Sequence, residues 1–207
     1  DRLVLGVTDD AKTQSQYPVY FRPDVDGHLA VYGTGGSGKS VALRSVAVAA
    51  AITPRGGPVH VYALDFAAGG LRMLESLPHV GAVIAGDDTE RVARLIKKLR
   101  AIIEERTLRY GAARASTVAE YRTLADRPNE PRILLLIDGM STFRQEYEFV
   151  ATSNLFTSFL QILSDGRQVG IHVVVSADRP GSISPSVGAA FQRRVCLRLT
   201  DDNDYAM

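Results

Sequence analysis

The sequence predicts an α/β fold in which helices cover both faces of a mostly parallel sheet. Short apolar runs alternate along the 207 residues with helix-like segments, as in repeated strand–helix–strand units. Residues 132–138 form a near-continuous apolar run, which is typical of a strand buried on both faces of such a sheet. A glycine-rich turn at residues 33–38 joins another apolar run to a helical segment. We expect these elements to form a single domain over residues 1–207.

The individual elements follow from the spacing of apolar residues and from the turn-forming residues between them. The clearest is a long helix with Asp88 and Thr89 at its start, in which apolar residues recur every three or four positions from Val92 to Ile103. A turn rich in Gly and Pro at residues 53–57 should end an earlier helix, which is expected at residues 41–52. The expected strands are residues 3–7, 18–21, 29–32, 59–66, 83–85, 132–138, 171–177 and 194–199, and the other expected helices are residues 41–52, 71–79, 117–124 and 154–165.

Composition excludes several classes of protein. The chain is 45% apolar and 23% charged, as in soluble globular proteins, and its net charge of +1 gives no bulk attraction for DNA, which we do not expect as a partner. The single cysteine, Cys196, excludes an internal disulfide framework. No apolar run is long enough to cross a bilayer, so we expect no membrane insertion by this segment. Because the sequence starts at Asp1 rather than Met, we expect it to be a segment of a longer, multi-domain protein.

The strongest functional signal is the pattern G-x-x-x-x-G-K-S at residues 33–40, in its required place between a strand and a helix. Glycines in such a loop let backbone N–H groups turn inward around phosphate oxygens, and the following helix adds its positive end. We therefore predict that the chain binds a nucleoside triphosphate. The predicted nucleotide-binding residues are Gly33, Thr34, Gly35, Gly36, Ser37, Gly38, Lys39, Ser40 and Val41.

Three side chains have predicted roles beside the phosphates. Lys39 should reach the β- and γ-phosphates, the Ser40 hydroxyl should ligate Mg²⁺, and Asp138, at the end of a buried strand, should hold the Mg²⁺ with its waters. ATP and Mg²⁺ are therefore the expected cofactors. Hydrolytic P-loop proteins usually place a glutamate after this acid to deprotonate the attacking water, but here the next residue is Gly139. We expect slow hydrolysis for that reason.

Four other acidic residues remain open candidates. Asp65 ends a strand at the same edge of the sheet, either as a second acid near the metal or as a residue that caps its loop. Asp178 also ends a strand there and could contact water bound to the γ-phosphate, although an acid beside phosphate is repelled unless Mg²⁺ or an arginine intervenes. The adjacent Arg179 could supply that positive charge or could simply hold the loop. Glu146 and Glu148 follow Asp138 and are the other conceivable bases.

Several stretches resemble a known family. The segments DGRQVGIH (residues 165–172), SADRP (residues 176–180) and RRVCLRL (residues 193–199) resemble the FtsK/SpoIIIE motor ATPases. The segments VYALDF, LPHVGAV and LRLTDDNDY resemble more specifically the EccC/EssC branch, the motor ATPases of type VII secretion. The similarity runs essentially from Leu3 to the end of the chain.

The resemblance implies a RecA-like P-loop ATPase domain, repeated in a string behind a membrane anchor at the cytoplasmic face of the bacterial plasma membrane. Its implied partners are the other ATPase domains, in a ring, and other subunits of the secretion complex. It also implies that Asp178 stands at a polar sensor position that is normally Gln, and that Arg194 reaches a neighbour's nucleotide. Together with Gly139, Asp178 indicates a later domain of the string. Such domains retain ATP and dock the C-terminal signal of small helical secreted proteins.

Two alternatives remain. A double-stranded DNA translocase like the FtsK motors themselves would need to grip duplex phosphates, which the near-zero net charge argues against. A fully active ATPase would need another base, from Glu146, Glu148 or a neighbouring domain.

Overall fold

The computed structural model of the chain describes residues 2–52, 57–149 and 154–206. The turn predicted at residues 53–57 lies almost wholly outside the described residues. The strands are β1 (Leu3–Asp10), β2 (Ser15–Phe21), β3 (Leu29–Tyr32), β4 (Val59–Asp65), β5 (Val80–Ala85), β6 (Arg132–Asp138), β7 (Ile171–Ala177) and β8 (Arg193–Cys196). The helices are α1 (Pro23–Asp26), α2 (Lys39–Ile52), α3 (Thr89–Ala112), α4 (Val118–Leu124), α5 (Met140–Tyr147), α6 (Leu155–Asp165) and α7 (Pro185–Gly188).

Six of the strands form one sheet in the order β5-β4-β6-β7-β3-β8, and every pair within it is parallel. Strands β1 and β2 form a separate antiparallel pair. All seven residues of β6 are buried, and alternate ones enter two different cores. One core includes residues of α3, α5 and α6, and the other includes residues of α2 and of the β1–β2 pair. The predicted parallel α/β sheet with two covered faces is therefore confirmed.

The order of the strands places three strand ends side by side. Strand β7 lies between β3 and β6, so that Tyr32 at the end of β3 pairs with Ala177 at the end of β7. Asp138 ends β6, the next strand along. Ligands of parallel α/β sheets bind at this carboxyl edge. The topology therefore brings the loop that follows Tyr32 close to Asp138.

The predicted long helix is confirmed as α3. The side chain of Asp88 accepts a hydrogen bond from the backbone N–H of Arg91, and the predicted apolar face is buried against the sheet and α6. None of the helices in the described ranges is both long enough and apolar enough to span a bilayer.

Strands β1, β2 and β5 are longer than predicted, and two other predicted elements are markedly shorter. The helix expected at residues 71–79 is only a short 3₁₀ turn, Arg72–Ser76, because Pro78 restricts Leu77 to the extended backbone conformation that it adopts. The strand expected at residues 194–199 ends at Cys196. Beyond that residue the backbone follows the phosphate loop instead, since Leu197 N–H donates to Tyr32 O at 2.8 Å.

Helix α5 was not predicted. Its N-cap is Gly139, which offers no capping side chain, so the usual start signal is missing. The helix does bury Met140, Phe143 and Tyr147, whose spacing is the apolar signal that could have found it.

The amino edge of the sheet, opposite the loop, contains two buried histidines. His28 Nε2 lies 2.9 Å from Leu163 O, and its Nδ1 accepts the N–H of Val173 at 2.9 Å, so the neutral ring is fully hydrogen-bonded. Burial, with the nearby His172 and Arg167, lowers the pKa of His28 to about 4. Burial also lowers the pKa of His172, although the facing carboxylate of Asp24 opposes that shift.

We predict that the free energy of unfolding falls by about 2 kcal/mol between pH 7 and pH 5 from His28 alone. Its pKa is depressed in the folded state, so its contribution is complete above the unfolded value of about 6.5 and is lost as the pH falls toward 4. Burial raises the pKa of Asp24, but hydrogen bonds to His172 and Arg132 outweigh burial and hold that pKa well below its usual range. Asp24 therefore does not titrate between pH 7 and pH 5. Urea unfolding at the two pH values measures the change.

The variant His28→Asn supplies the comparison, because an amide cannot take up a proton in this range. Whatever its stability at pH 7, the variant should lose less stability than the wild type on going to pH 5. Equal losses in both proteins would contradict the assignment to His28.

Candidate functional site

The loop after β3 needs glycine at specific positions. Gly36 and Gly38 have φ of 71° and 104°, a backbone region that strains residues with side chains. A Cβ on Gly33 would lie 2.3 Å from the hydroxyl oxygen of Ser37 and 3.0 Å from Leu197 Cβ, so a larger residue there would displace the Ser37 side chain. The backbone of the loop thus requires glycine at positions 36 and 38.

Neighbouring strands hold the start of this loop in place. Gly33 N–H donates to Ala177 O at 3.1 Å, and the backbone N–H of Thr34 donates to Arg198 O at 2.9 Å. The Thr34 hydroxyl donates to the same Arg198 carbonyl at 3.1 Å. The loop is therefore fixed by β7 on one side and by the segment after β8 on the other.

The loop leads directly into α2, which begins at Lys39. The first N–H groups of a helix have no partner within it, and with the helix dipole they attract anions. They face a cavity of about 530 Å³ at the carboxyl edge of the sheet. Its lining residues are Gly35, Gly36, Gly38, Lys39, Ser40, Val41, Phe66, Ala67, Ala68, Asp138, Gly139, Ser141, Thr142, Ser176, Ala177 and Asp178.

Ser40 and Asp138 meet at the bottom of this cavity. Ser40 Oγ donates to Asp138 Oδ2 at 2.5 Å, and the carboxylate is buried, with only 1% of the residue exposed. Ser176 Oγ donates to the other oxygen, Oδ1, at 2.5 Å, and itself accepts the N–H of Gly139 at 2.9 Å. Carboxylate and hydroxyl oxygens are the ligands that Mg²⁺ prefers, so the two residues predicted to hold the metal lie together.

The sequence analysis missed Ser176 as a site residue. It lies on β7, between the loop and Asp138, and fixes the orientation of the carboxylate from the side opposite Ser40. The sequence did contain a signal for it. Ser176 is a hydroxyl residue next to the end of the apolar strand β7, and parallel strands end at the edge of the sheet where the phosphate loop lies.

Lys39 folds back over the loop. Its ammonium donates to Gly33 O at 2.6 Å and to Thr34 O at 3.0 Å, and lies 3.0 Å from Asp178 Oδ1. The Lys39 side chain is 15% exposed, whereas that of Asp178 is 70% exposed at the mouth of the cavity. Asp178 thus lies at the site as predicted, and it contacts the lysine directly.

Gly139 has a structural role of its own. It has φ 89° and ψ 55°, and a Cβ there would lie 3.0 Å from the backbone oxygen of Phe66. A glutamate at position 139 would therefore strain the turn between β6 and α5. Among the described residues that line the cavity, the carboxylates are those of Asp138 and Asp178.

The structure decides between the two interpretations of Asp65. Its Oδ1 accepts the N–H of Ala67 at 3.1 Å, and its Oδ2 accepts the N–H of Leu71 at 2.9 Å. The carboxylate therefore caps the loop after β4. Of the other candidate bases, Glu148 forms an ion pair with Arg144, and Glu146 lines a neighbouring cavity of about 540 Å³.

Arg194 lies away from the phosphate loop of its own chain. It pairs with Ala30 in the middle of β3, and its guanidinium donates to Phe191 O at 3.2 Å and Gly188 O at 3.4 Å. Within this chain the side chain anchors the turn before β8.

A glycine loop joins strand β3 to helix α2, and an acid ends β6, which lies two strands away from β3 in the sheet. This arrangement defines a P-loop nucleotide-binding protein. The FtsK/SpoIIIE family model matches residues 7–207, so the chain belongs to that family. This confirms the family resemblance seen in the sequence and implies nucleotide binding.

Relatives of known sequence place the chain within one branch of the family. The ESX-4 secretion system protein EccC4 of Mycobacterium tuberculosis is 33% identical over 204 residues, which cover 97% of this chain and 16% of EccC4. The chain thus spans about a sixth of that relative.

Solved structures agree. The cytoplasmic domain of the type VII secretion ATPase EccC of Thermomonospora curvata matches with a TM-score of 0.88 and 29% identity, over 98% of this chain and 24% of that one. The structure of T. curvata EccC (ATPases 2 and 3) in complex with a signal sequence peptide matches with a TM-score of 0.86 and 30% identity, over 97% and 36%. Homologues of this chain are therefore ATPase domains of type VII secretion motors.

We predict that Gly139→Ala lowers the free energy of unfolding by about 1–2 kcal/mol, because alanine is strained at a positive φ. Urea unfolding measures the loss. The matched control is Gly111→Ala near the end of α3, where a Cβ meets nothing within 4 Å, and this variant should be at least as stable as the wild type. Equal stability of the two variants would show that the turn tolerates a side chain.

Proposed function

We propose that the chain binds Mg-ATP at the loop of residues 33–41. The contact of Ser40 Oγ with Asp138 Oδ2 at 2.5 Å is the observation that carries the proposal, because it joins the loop to the acid expected beside the metal. The buried hydroxyl of Ser141 also lines the cavity and has no hydrogen-bond partner among the described residues, which suits a polar ligand. Bound Mg²⁺ would supply positive charge to the phosphate oxygens.

Each residue of the site has a proposed task. The N–H groups of residues 35–41 hold phosphate oxygens, and the Lys39 ammonium adds positive charge beside them. Ser40 and Asp138 hold the metal, and Ser176 keeps the carboxylate of Asp138 in position.

We propose that hydrolysis is slow. A general base must lie within hydrogen-bond reach of the attacking water, and the turn at Gly139 provides no side chain for that task. Glu148 forms an ion pair with Arg144, and Glu146 lines a different cavity. The cavity carboxylates are themselves engaged, Asp138 by two serine hydroxyls and Asp178 by Lys39.

Lys39→Ala should abolish measurable binding of Mg-ATP, since it removes the lysine of the phosphate loop. Isothermal titration calorimetry measures the affinity. Lys97→Ala, on the exposed face of α3, removes the same charge elsewhere and should bind as the wild type does. Binding by Lys39→Ala at wild-type affinity, or no binding by the wild type, would overturn the proposed function.

In the cell, we propose that residues 1–207 form one of the later ATPase domains of a longer type VII secretion motor. The motor would lie at the cytoplasmic face of the bacterial plasma membrane, with other ATPase domains and other subunits of the secretion complex as its partners. In a ring of such domains, the exposed Arg194 would reach the nucleotide of a neighbour. The relatives' place in type VII secretion supports this proposal.

Helix α2 supports a docking role because large apolar side chains are exposed on its outer face, beside Arg44 and Ser45. Its inner face is buried in the core, while Val41, Val48 and Ile52 on its outer face are 52%, 43% and 70% exposed. A surface helix normally turns charged and polar residues outward. The outer face lines a groove of about 790 Å³, with exposed Val4 and Met73 on its other walls.

We propose that this groove receives the apolar face of a C-terminal helical signal of a secreted protein. An amphipathic helix buries spaced apolar residues in a groove of this kind. The T. curvata relative whose structure contains a signal sequence peptide supports the choice of occupant.

Val48→Asp should weaken binding of such a peptide at least tenfold, because a charge would be buried against apolar side chains. Fluorescence anisotropy with a labelled C-terminal peptide of a small helical type VII substrate measures this. Val7→Asp places the same charge at a valine that is 66% exposed and does not line the groove, so it should bind normally. Equal binding by both variants would exclude the groove as the docking site.

A further inference from the structure

We propose that Asp178 is a specificity-determining residue that disfavours a nucleoside triphosphate relative to a nucleoside diphosphate at the phosphate loop. The contact that carries this inference is the ion pair between Asp178 Oδ1 and Lys39 Nζ at 3.0 Å. The inference rests on the proposed binding of nucleotide at this loop.

The ammonium of Lys39 is already occupied. It has three donor hydrogens, and three acceptors surround it: the carbonyl oxygens of Gly33 and Thr34 and the carboxylate of Asp178. A terminal phosphate that is to bind Lys39 must therefore take the place of one acceptor. Asp178 is the one that can leave, because its side chain is 70% exposed, whereas the two carbonyls belong to the loop itself.

Displacing the carboxylate does not remove its charge. Asp178 directly follows β7, which lies between β3 and β6, so its Cα stays at the mouth of the cavity whichever way its side chain turns. Of the described residues that line the cavity, three are charged: Lys39, Asp138 and Asp178. One cation thus faces two anions before any phosphate enters.

The carboxylate of Asp178 affects a β-phosphate and a γ-phosphate to different extents. A β-phosphate has the loop N–H groups and the start of α2 as further donors, so it depends less on Lys39 than a γ-phosphate does. A γ-phosphate adds another negative charge near Lys39, where it competes with Asp178 for the same ammonium and is repelled by the same carboxylate. The pair therefore disfavours the triphosphate more than the diphosphate.

Isothermal titration of Mg-ATP and Mg-ADP tests the inference on the wild type and Asp178→Asn. Asparagine keeps the shape and removes the charge, so the Kd for ATP relative to that for ADP should fall by about two- to fivefold, as expected for an exposed charge pair. Asp178→Glu keeps the charge and should keep the wild-type ratio. The remote control Asp9→Asn, on β1, removes one acid from an exposed position and should leave the ratio unchanged.

Each result decides something different. In one outcome, both nucleotides bind to Asp178→Asn with the same ratio of Kd values, ATP to ADP, as in the wild type. That result overturns the role of Asp178 and leaves the proposed function standing. Weaker binding of Mg-ATP by Asp178→Asn also overturns it, because the carboxylate would then assist the metal or the γ-phosphate. Absence of binding of either nucleotide to the wild type overturns the proposed function and this inference with it.

Discussion

The hydrogen bond between Ser40 and Asp138 is the contact on which the rest of the site depends. It links the first turn of α2 to the end of β6 across 98 positions of the chain. Strand β7 alone separates β3 from β6, which brings the start of α2 close to Asp138, and Ser176 on β7 holds the other oxygen of the carboxylate. The buried sheet is therefore the frame that sets the geometry of the cavity.

The sheet and the phosphate loop could be predicted because their signals are local in the sequence. The apolar run of residues 132–138 and the glycine pattern both identify their elements without knowledge of the topology. The role of Ser176 depends on the order of the strands, which no local pattern encodes. Asp65 stayed ambiguous because only the path of the following loop shows which N–H groups its carboxylate accepts.

Gly139 matters for two separate reasons, the chemistry that it lacks and the backbone conformation that it adopts. The sequence indicates a missing base at this position, and the structure adds that the backbone there is left-handed and packed against Phe66. Helix α2 shows the converse limit, because apolar residues of core and surface look alike in a sequence. Only the structure separates its buried face from the exposed Val48 and Ile52.

Val41 lies at the start of α2, between the two cavities that the proposals use. It lines the cavity beside the phosphate loop and also the apolar groove along the outer face of the helix. The two cavities thus have one wall in common. By thermodynamic linkage, any shift of that wall on filling one cavity changes the free energy of filling the other, and by the same amount in both directions.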